Sequence, residues 1–497
     1  MAAADEMSGR LEMVNARTGV PYALPAMVEL EARLAPLVAS ARDAGGLERI
    51  VDAVLEHARA HGRPVMEVEA VVPPVGAGSE GAPLRLLVWP GLISSLSLEG
   101  GVPWSREVIA DDWARRTGSE LDLAAVDAWL DWTHRNPFHH VTLSFEPGPD
   151  PATADGVLTL HSDTVARAFA TWRNDGVDPL GPQRFSAGLE LADPGGLPVW
   201  MSVEMVGGED WPDYRSGRGQ FRWFLPWHHE WRFGGSRTLA ELNGFLPGLP
   251  LTASLDSTEL TTRYVMPWGR PGGWRVDLGA GVDFRRTESG VSVDGVADRG
   301  RADTAQGVVE AALRRVTAGM EAVVLVGGFW SPGGLTAFNE TEEADLLRPG
   351  AVAEYAGVRV DGQARWERSD GWALVVRGAA QWTSAPPLPT VQLPVSGASA
   401  VRGFDEAAVL ADVGAWGGVE VQAPPWREPR TGVRVVPLVF ADAGWARDEA
   451  EADETTLASA GVGLRVLRGG RFGLALDYGW RLTEPGGRAH GALVLQF

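Results

Sequence analysis

Apolar and polar positions follow two different rhythms along the chain. Before about residue 160 the spacing is mixed. Leu47, Ile50, Val51, Val54, Leu55 and Ala58 recur at i, i+3, i+4, i+7, i+8 and i+11, which predicts an amphipathic helix stopped by Gly62. Strand-like runs follow at Val65–Val72 and Leu84–Val88. The order then repeats. A strand spans Leu92–Leu98, one helix face carries Val108, Ile109 and Trp113, and a second carries Leu123, Val126, Trp129 and Leu130. Val141, Leu143 and Phe145 alternate as a strand with Val157–Leu160 as its hairpin partner. Strand–helix–helix–strand–strand, twice over, predicts two α+β modules of roughly seventy to ninety residues each.

Beyond residue 165 the period is two. Phe221, Trp223, Leu225 and Trp227 alternate, as do Trp274, Val276, Leu278, Ala280, Val282 and Phe284, with Arg275, Asp277, Gly279, Gly281 and Asp283 between them. Near the end Phe472, Leu474, Leu476, Tyr478, Trp480 and Leu482 share one face, opposite Ala475, Asp477, Gly479 and Arg481. A wholly apolar, aromatic-rich face backed by charge must be covered in a soluble fold. The segments match the ~9–11 residues that a tilted strand needs to cross a bilayer. Aromatics close the segments (Trp274 and Phe284, Trp372 and Trp382, Phe472 and Trp480), as interfacial girdles do. The region after residue 162, at ~20 residues per strand and turn, yields about sixteen strands, an even number suited to a closed transmembrane barrel. The chain ends in strand rhythm on Leu493, Leu495 and Phe497, so a terminal strand is expected to close the sheet. The fold class is thus a membrane all-β barrel preceded by α+β modules. The alternative is a soluble, Trp-rich, carbohydrate-binding β-protein.

Composition narrows the chemistry. Of 497 residues, 44 are basic and 65 acidic, for a net charge of −21, which argues against nucleic acid as a partner. All the basic residues are arginine and cysteine is absent, which removes Walker and Schiff-base lysines, disulfides and thiol nucleophiles. The paired histidines His139/His140 and His228/His229 point to opposite faces of a strand, and His57/His61 lack an accompanying HExxH glutamate. No metal, cofactor or enzymatic activity is expected. The opening Met1-Ala-Ala-Ala-Asp-Glu has neither a charged n-region nor an apolar h-region, so no signal peptide is expected within it.

Val401-Arg402-Gly403-Phe404, set in the long segment Thr383–Ala411, resembles the loop-tip motif of the outer-membrane superfamily that includes BamA and the TpsB transporters. Gly417-Gly418-Val419-Glu420 and Phe440-Ala441-Asp442-Ala443-Gly444 follow, the second similar to that family's FxDxG strand. Asn136-Pro137-Phe138, entering Val141–Phe145, resembles a POTRA domain, and two modules with a run from Gly62 through Pro73-Pro74 look most like TpsB of two-partner secretion.

The resemblance implies POTRA domains at 1–90 and 91–162, a barrel at 163–497 and a lumenal loop around 383–411. Strand parity turns Phe440, Asp442 and Gly444 inward, so Asp442 is the expected acceptor for Arg402, with Glu420 as a second. Gly403 is expected to turn the tip and Phe404 to pack on small lumen residues such as Gly444. The implied function is export of an unfolded, TpsA-like exoprotein, bound in the periplasm around Asn136, Pro137, Phe138, Val141, Leu143 and Phe145, across a Gram-negative outer membrane. Outer-membrane lipids and the barrel assembly machinery, reading Leu493, Leu495 and Phe497, are the other implied partners. An insertase of the BamA kind is the alternative. Arg10–Asn15 reads as the first POTRA strand, so no plug helix is expected ahead of it, and Gly491 stands one place early in the terminal signal.

Overall fold

Helical spacing and strand alternation each produce the element they favour. The computed structural model describes residues 8–40, 44–71, 83–162, 164–177, 180–209, 211, 213–243, 251–293 and 296–497. Pro73 and Pro74 lie outside them. Residues Met1–Val165 form one compact unit together with Ala192–Leu197; Ala166–Leu191 and Pro198–Phe497 form the other.

In the first unit, β1 (Ser8–Asn15), α1 (Met27–Ser40), α2 (Ala44–Ala60), β2 (Glu67–Val71) and β3 (Pro83–Trp89) make a first module. Its sheet order is β1-β3-β2, with β3 parallel to β1 and antiparallel to β2. The periodic face of α2 buries Ile50, Val54 and Ala58 against Leu84, Leu86 and Val88. Gly62, at φ +82°, carries the chain out of the helix. The second module repeats the plan with β4 (Leu92–Gly100), α3 (Pro103–Ala114), α4 (Leu123–Thr133), β5 (Val141–Pro147) and β6 (Thr153–Leu160), in sheet order β4-β6-β5. Pro103 opens α3 and the Asp122 carboxylate caps α4 by accepting from Ala124 N–H at 2.9 Å. Trp113 and Trp129 meet edge to face at 4.6 Å in its core.

The second unit is a closed antiparallel barrel of sixteen long strands. The first nine are β7 (Ala166–Arg173), β8 (Arg184–Ala192), β9 (Val199–Gly207), β10 (Tyr214–Phe224), β11 (Glu230–Asn243), β12 (Leu251–Gly269), β13 (Arg275–Val293), β14 (Val296–Thr317) and β15 (Met320–Pro332). After α5 (Thr341–Leu347) come β16 (Glu354–Glu367) and β17 (Ala373–Thr383). The following long loop carries the two-residue pair β18 (Leu393–Pro394) and β19 (Leu410–Ala411). Then come β20 (Val413–Gln422), the short β21 (Trp426–Arg427), β22 (Val433–Asp448), β23 (Asp453–Arg468), β24 (Phe472–Arg481) and β25 (Gly487–Gln496). β25 closes on β7 through Ala492↔Arg173 to Gln496↔Phe169.

Apolar side chains face outward and polar ones inward. On β22, Val439 is 55% exposed while Phe440 and Asp442 are buried. Trp223, Trp231 and Tyr264 form one cross-strand row at the end with the short turns, and Trp330, Trp382 and Trp480 stand at the other. Short turns gather at one end of the barrel and the longer loops at the other.

Two details differ from the sequence expectation. The alternation Phe221–Trp227 breaks at Phe224, because Pro226 has no N–H for a ladder and His228 turns at φ +61°. β12, β13 and β14 run 19, 19 and 22 residues, well past one bilayer crossing. Their ends toward the long loops carry polar pairs, Arg286 with Asp303 among them, that no longer need an apolar face.

Candidate functional site

The long loop between β17 and β20 folds into the lumen on an apolar face. Leu393, Val395, Val401, Phe404 and Ala411 pack with Ala379, Ala446 and Leu457. Its tip is held by charge. Arg402, 2% exposed, donates from Nε to Asp442 Oδ2 at 2.7 Å and from Nη2 to Oδ1 at 3.0 Å, the side-on fork that a guanidinium makes with a carboxylate. Its backbone N–H reaches the same carboxylate at 3.2 Å. Nη1 donates to Glu420 Oε2 at 2.9 Å and to Asp477 Oδ2 at 3.4 Å, and the guanidinium carbon lies 3.4 Å above the Phe440 ring.

Two further arginines complete the lattice. Arg465 pairs with Asp477 at 2.6 and 2.9 Å, and Arg377 reaches Asp442 at 3.4 Å while donating to the carbonyls of Ala398 and Ala400. Three cations therefore meet three carboxylates, and no charge in the group stands alone. Glycines clear the space. A Cβ at Gly418 would lie 2.2 Å from Asp442 Oδ1, and one at Gly463 would lie 2.0 Å from Asp477 Oδ1.

Gly403 turns the tip at φ +92°, against Gly479, where either residue's Cβ would strike the other's backbone. Its N–H donates to His490 Nε2 at 2.9 Å, and its carbonyl accepts from Arg481 Nε at 2.7 Å. Because Nε2 accepts, the neutral ring carries its proton on Nδ1, which lies 3.3 Å from Glu406 Oε1. Asp405 pairs with both Arg481 and Arg488.

Strand parity thus brings Arg402, Asp442, Glu420 and Phe440 together. Around Gly444, a Cβ would first meet Val395, Val401 and Trp416. Phe404 packs in the same cluster as Val395 and Val401, and Arg481 lies 5.1 Å over its ring. Asp477, Arg377, Arg465 and His490 are members of the site that sequence reasoning missed. An inward glycine paired with an inward aspartate, as in Gly418↔Asp442 and Gly463↔Asp477, is the signal that points to such clearings.

In the first unit, Val141 is buried in the core of the second module, and Leu143 and Phe145 pack half-buried against it. β5 is an edge strand of its sheet, paired on one side with β6. Phe138 is buried, and Asn136 accepts its N–H at 3.1 Å. Asn136 Nδ2 also donates to Asp193 at 3.2 Å, and Asp193 binds His139 at 2.5 Å and the Ser105 hydroxyl at 2.7 Å. Next to Asn136 and Phe138, Pro137 is half-buried. Leu493 and Leu495 pair with Trp172 and Ala170 of β7, and Phe497, exposed, donates its N–H to the Ala168 carbonyl at 2.9 Å.

Comparison with solved structures finds the same fold. CdiB from Escherichia coli is 17% identical with a TM-score of 0.81, over 100% of this chain and 92% of that one. CdiB from Acinetobacter baumannii is 13% identical with a TM-score of 0.72, over 99% and 90%. BamA from Haemophilus ducreyi lacking POTRA domains 1–3 is 12% identical with a TM-score of 0.51, over 99% and 100%. No curated protein matches the sequence. The family model for the haemolysin secretion/activation protein ShlB/FhaC/HecB matches residues 158–466, more than half of the chain. With that match added to the barrel, the chain belongs to the ShlB/FhaC/HecB family of outer-membrane transporters.

Proposed function

We propose that this chain is the pore of a two-partner secretion system, taking an unfolded TpsA-like exoprotein from the periplasm and passing it outward through the barrel. Residues 1–90 and 91–162 serve as POTRA domains, and 163–497 as the pore. Capture is by strand addition: an extended cargo segment pairs with an exposed sheet edge such as β5, taking affinity from main-chain hydrogen bonds. The observation that carries the reading is the seat of the Arg402 loop. A segment held inside a barrel by ion pairs and hydrogen bonds, without covalent links, can leave its place and return. Direction comes from folding of the cargo outside, since a chain without lysine has no Walker lysine for ATP. Outer-membrane lipids cover the apolar wall, and the barrel assembly machinery reads Leu493, Leu495 and Phe497.

Co-expression with a neighbouring secreted protein tests the reading. Export should depend on this chain, and Arg402→Ala and Asp442→Ala should each lower it at least tenfold while the barrel keeps its heat-modifiable mobility. Intact export in both folded variants would overturn the role given to the loop. A fall in many outer-membrane proteins on depletion would overturn the secretion role itself.

A further inference from the structure

The connection between β15 and β16, residues 333–353, is pinned at two distant points. At the first, the Phe338 carbonyl accepts from Asp303 N–H at 2.7 Å and Asn339 Nδ2 donates to the Asp303 carbonyl at 2.9 Å. The Thr336 hydroxyl donates to the Asp303 carboxylate at 2.9 Å, beside Arg286. These bonds cover the edge of β14 where β15 no longer pairs with it. At the second, Arg348 leaves α5 and donates to both oxygens of Asp412, at 2.9 and 2.7 Å, and to Asp448 Oδ1 at 2.7 Å. Asp412 is fully buried and also accepts from Gln392 Nε2 at 3.0 Å and Glu449 N–H at 2.8 Å.

The segment is also bonded to the lumenal loop itself, at and around its second point. Val352 N–H donates to the Pro386 carbonyl at 2.9 Å, Arg348 donates to that of Pro387, and Ala344, Ala351, Leu388 and Ala302 form an apolar knot. The segment therefore runs from β14 to the outer ends of β20 and β22, with the ends of β15, β16 and β17 lying between them in barrel order. Arg348 stands against two carboxylates at the root of the loop whose tip Arg402 holds.

We infer that residues 333–353 are a strap across the outer mouth, with Arg348 as its buckle. The lumenal loop is locked twice, at its tip by Arg402 and at its root by Arg348, and the pore opens only when both let go. Arg348 is then a gating residue far from the tip motif. The inference rests on the pore reading, but gating can be measured without any cargo.

The test is single-channel recording of the full chain in planar bilayers. A Cβ on Gly350 would lie 3.1 Å from Ala450 Cβ, close to the ~3.5–4.5 Å of a disulfide, in a chain with no other cysteine. Oxidised G350C/A450C should open at least tenfold less often than the reduced form, with dithiothreitol restoring it. R348A, which leaves Gly350 and its positive φ untouched, should raise open probability about tenfold, and R348K by less, since lysine loses the fork. Equal open probability of oxidised and reduced pairs, or an R348A barrel that folds yet opens no more than wild type, would overturn the strap. Failed export with the expected changes in open probability would count against the cargo reading alone.

Discussion

The modules and the barrel bury opposite chemistry with similar alternation. In the first unit Ile50, Val54, Leu84 and Leu86 point inward and water wets the far side. In the barrel, strand valines such as Val439 and Val462 are exposed on the outward face, and one of the most deeply buried side chains is that of Arg402, its guanidinium among Asp442, Glu420 and Asp477. A two-residue period says only that two faces differ. The medium decides which face is inside: water drives apolar side chains into the modules, whereas hydrocarbon lets them stay outside and leaves polar groups to find each other in the lumen. The two interiors should also fail differently. An apolar core loses stability in steps set by the volume removed. A charge lattice loses more when one member goes, because its partners stay buried and uncompensated.

The sharpest test of that contrast is Asp442→Ala. It leaves Arg402 and Arg377 facing each other across the site, and should cost about 3–5 kcal/mol at the loop seat. Protease cutting within residues 383–411 of the reconstituted protein should rise steeply while the barrel stays folded. Ile50→Ala should cost about 2–5 kcal/mol, the lower end if the site collapses, and confine the loss to the first unit. Urea unfolding followed on that unit, with barrel mobility on gels as the control, measures it. A D442A loop as protected as wild type would erase the distinction. His490→Ala removes one acceptor, leaving Gly403 N–H unmet at a cost of about 1–3 kcal/mol, so loop cutting should rise less than in D442A.

How much of this was legible depended on whether a residue's role follows from its period. The helix α2 and the strand faces do, because burial repeats along them. Arg402, Asp442 and Glu420 were reachable because a tip motif lies in a long loop between strands whose parity turns those carboxylates inward. Parity does not report depth. Asp477, Arg465 and Arg377 face inward like many lumen residues, and only the register that sets Gly463 beside Asp477 and Gly418 beside Asp442 picks them out. Val141, Leu143 and Phe145 were read as a strand from their alternation and as a contact region from the POTRA resemblance; alternation itself reports which face is apolar, and that face packs on the module's core. Arg348 had no pattern to betray it, since loops carry no period and its partners lie 64 and 100 residues away.

The smallest expected effect tests the wet side of the comparison. Asp155 on β6 is a carboxylate in water that neighbouring hydroxyls nevertheless hold: Ser94 Oγ donates at 2.5 Å and Ser95 Oγ at 2.6 Å. The two hydroxyls favour the charged form and keep the carboxyl below its ordinary value of 3.8, Ser94 contributing most. A group whose pKa is depressed on folding stabilises the fold above its unfolded value and loses that contribution as pH falls through the folded one. The effect is thus complete at neutral pH and fades only below about pH 4. Replacing both serines with alanine should move Asp155 back toward 3.8, read from its carboxyl carbon shift during titration of the full chain. The lumen site should not respond, because no member of its lattice touches either serine. An Asp155 titration unchanged by the double substitution would mean that solvent, rather than these hydroxyls, sets its charge.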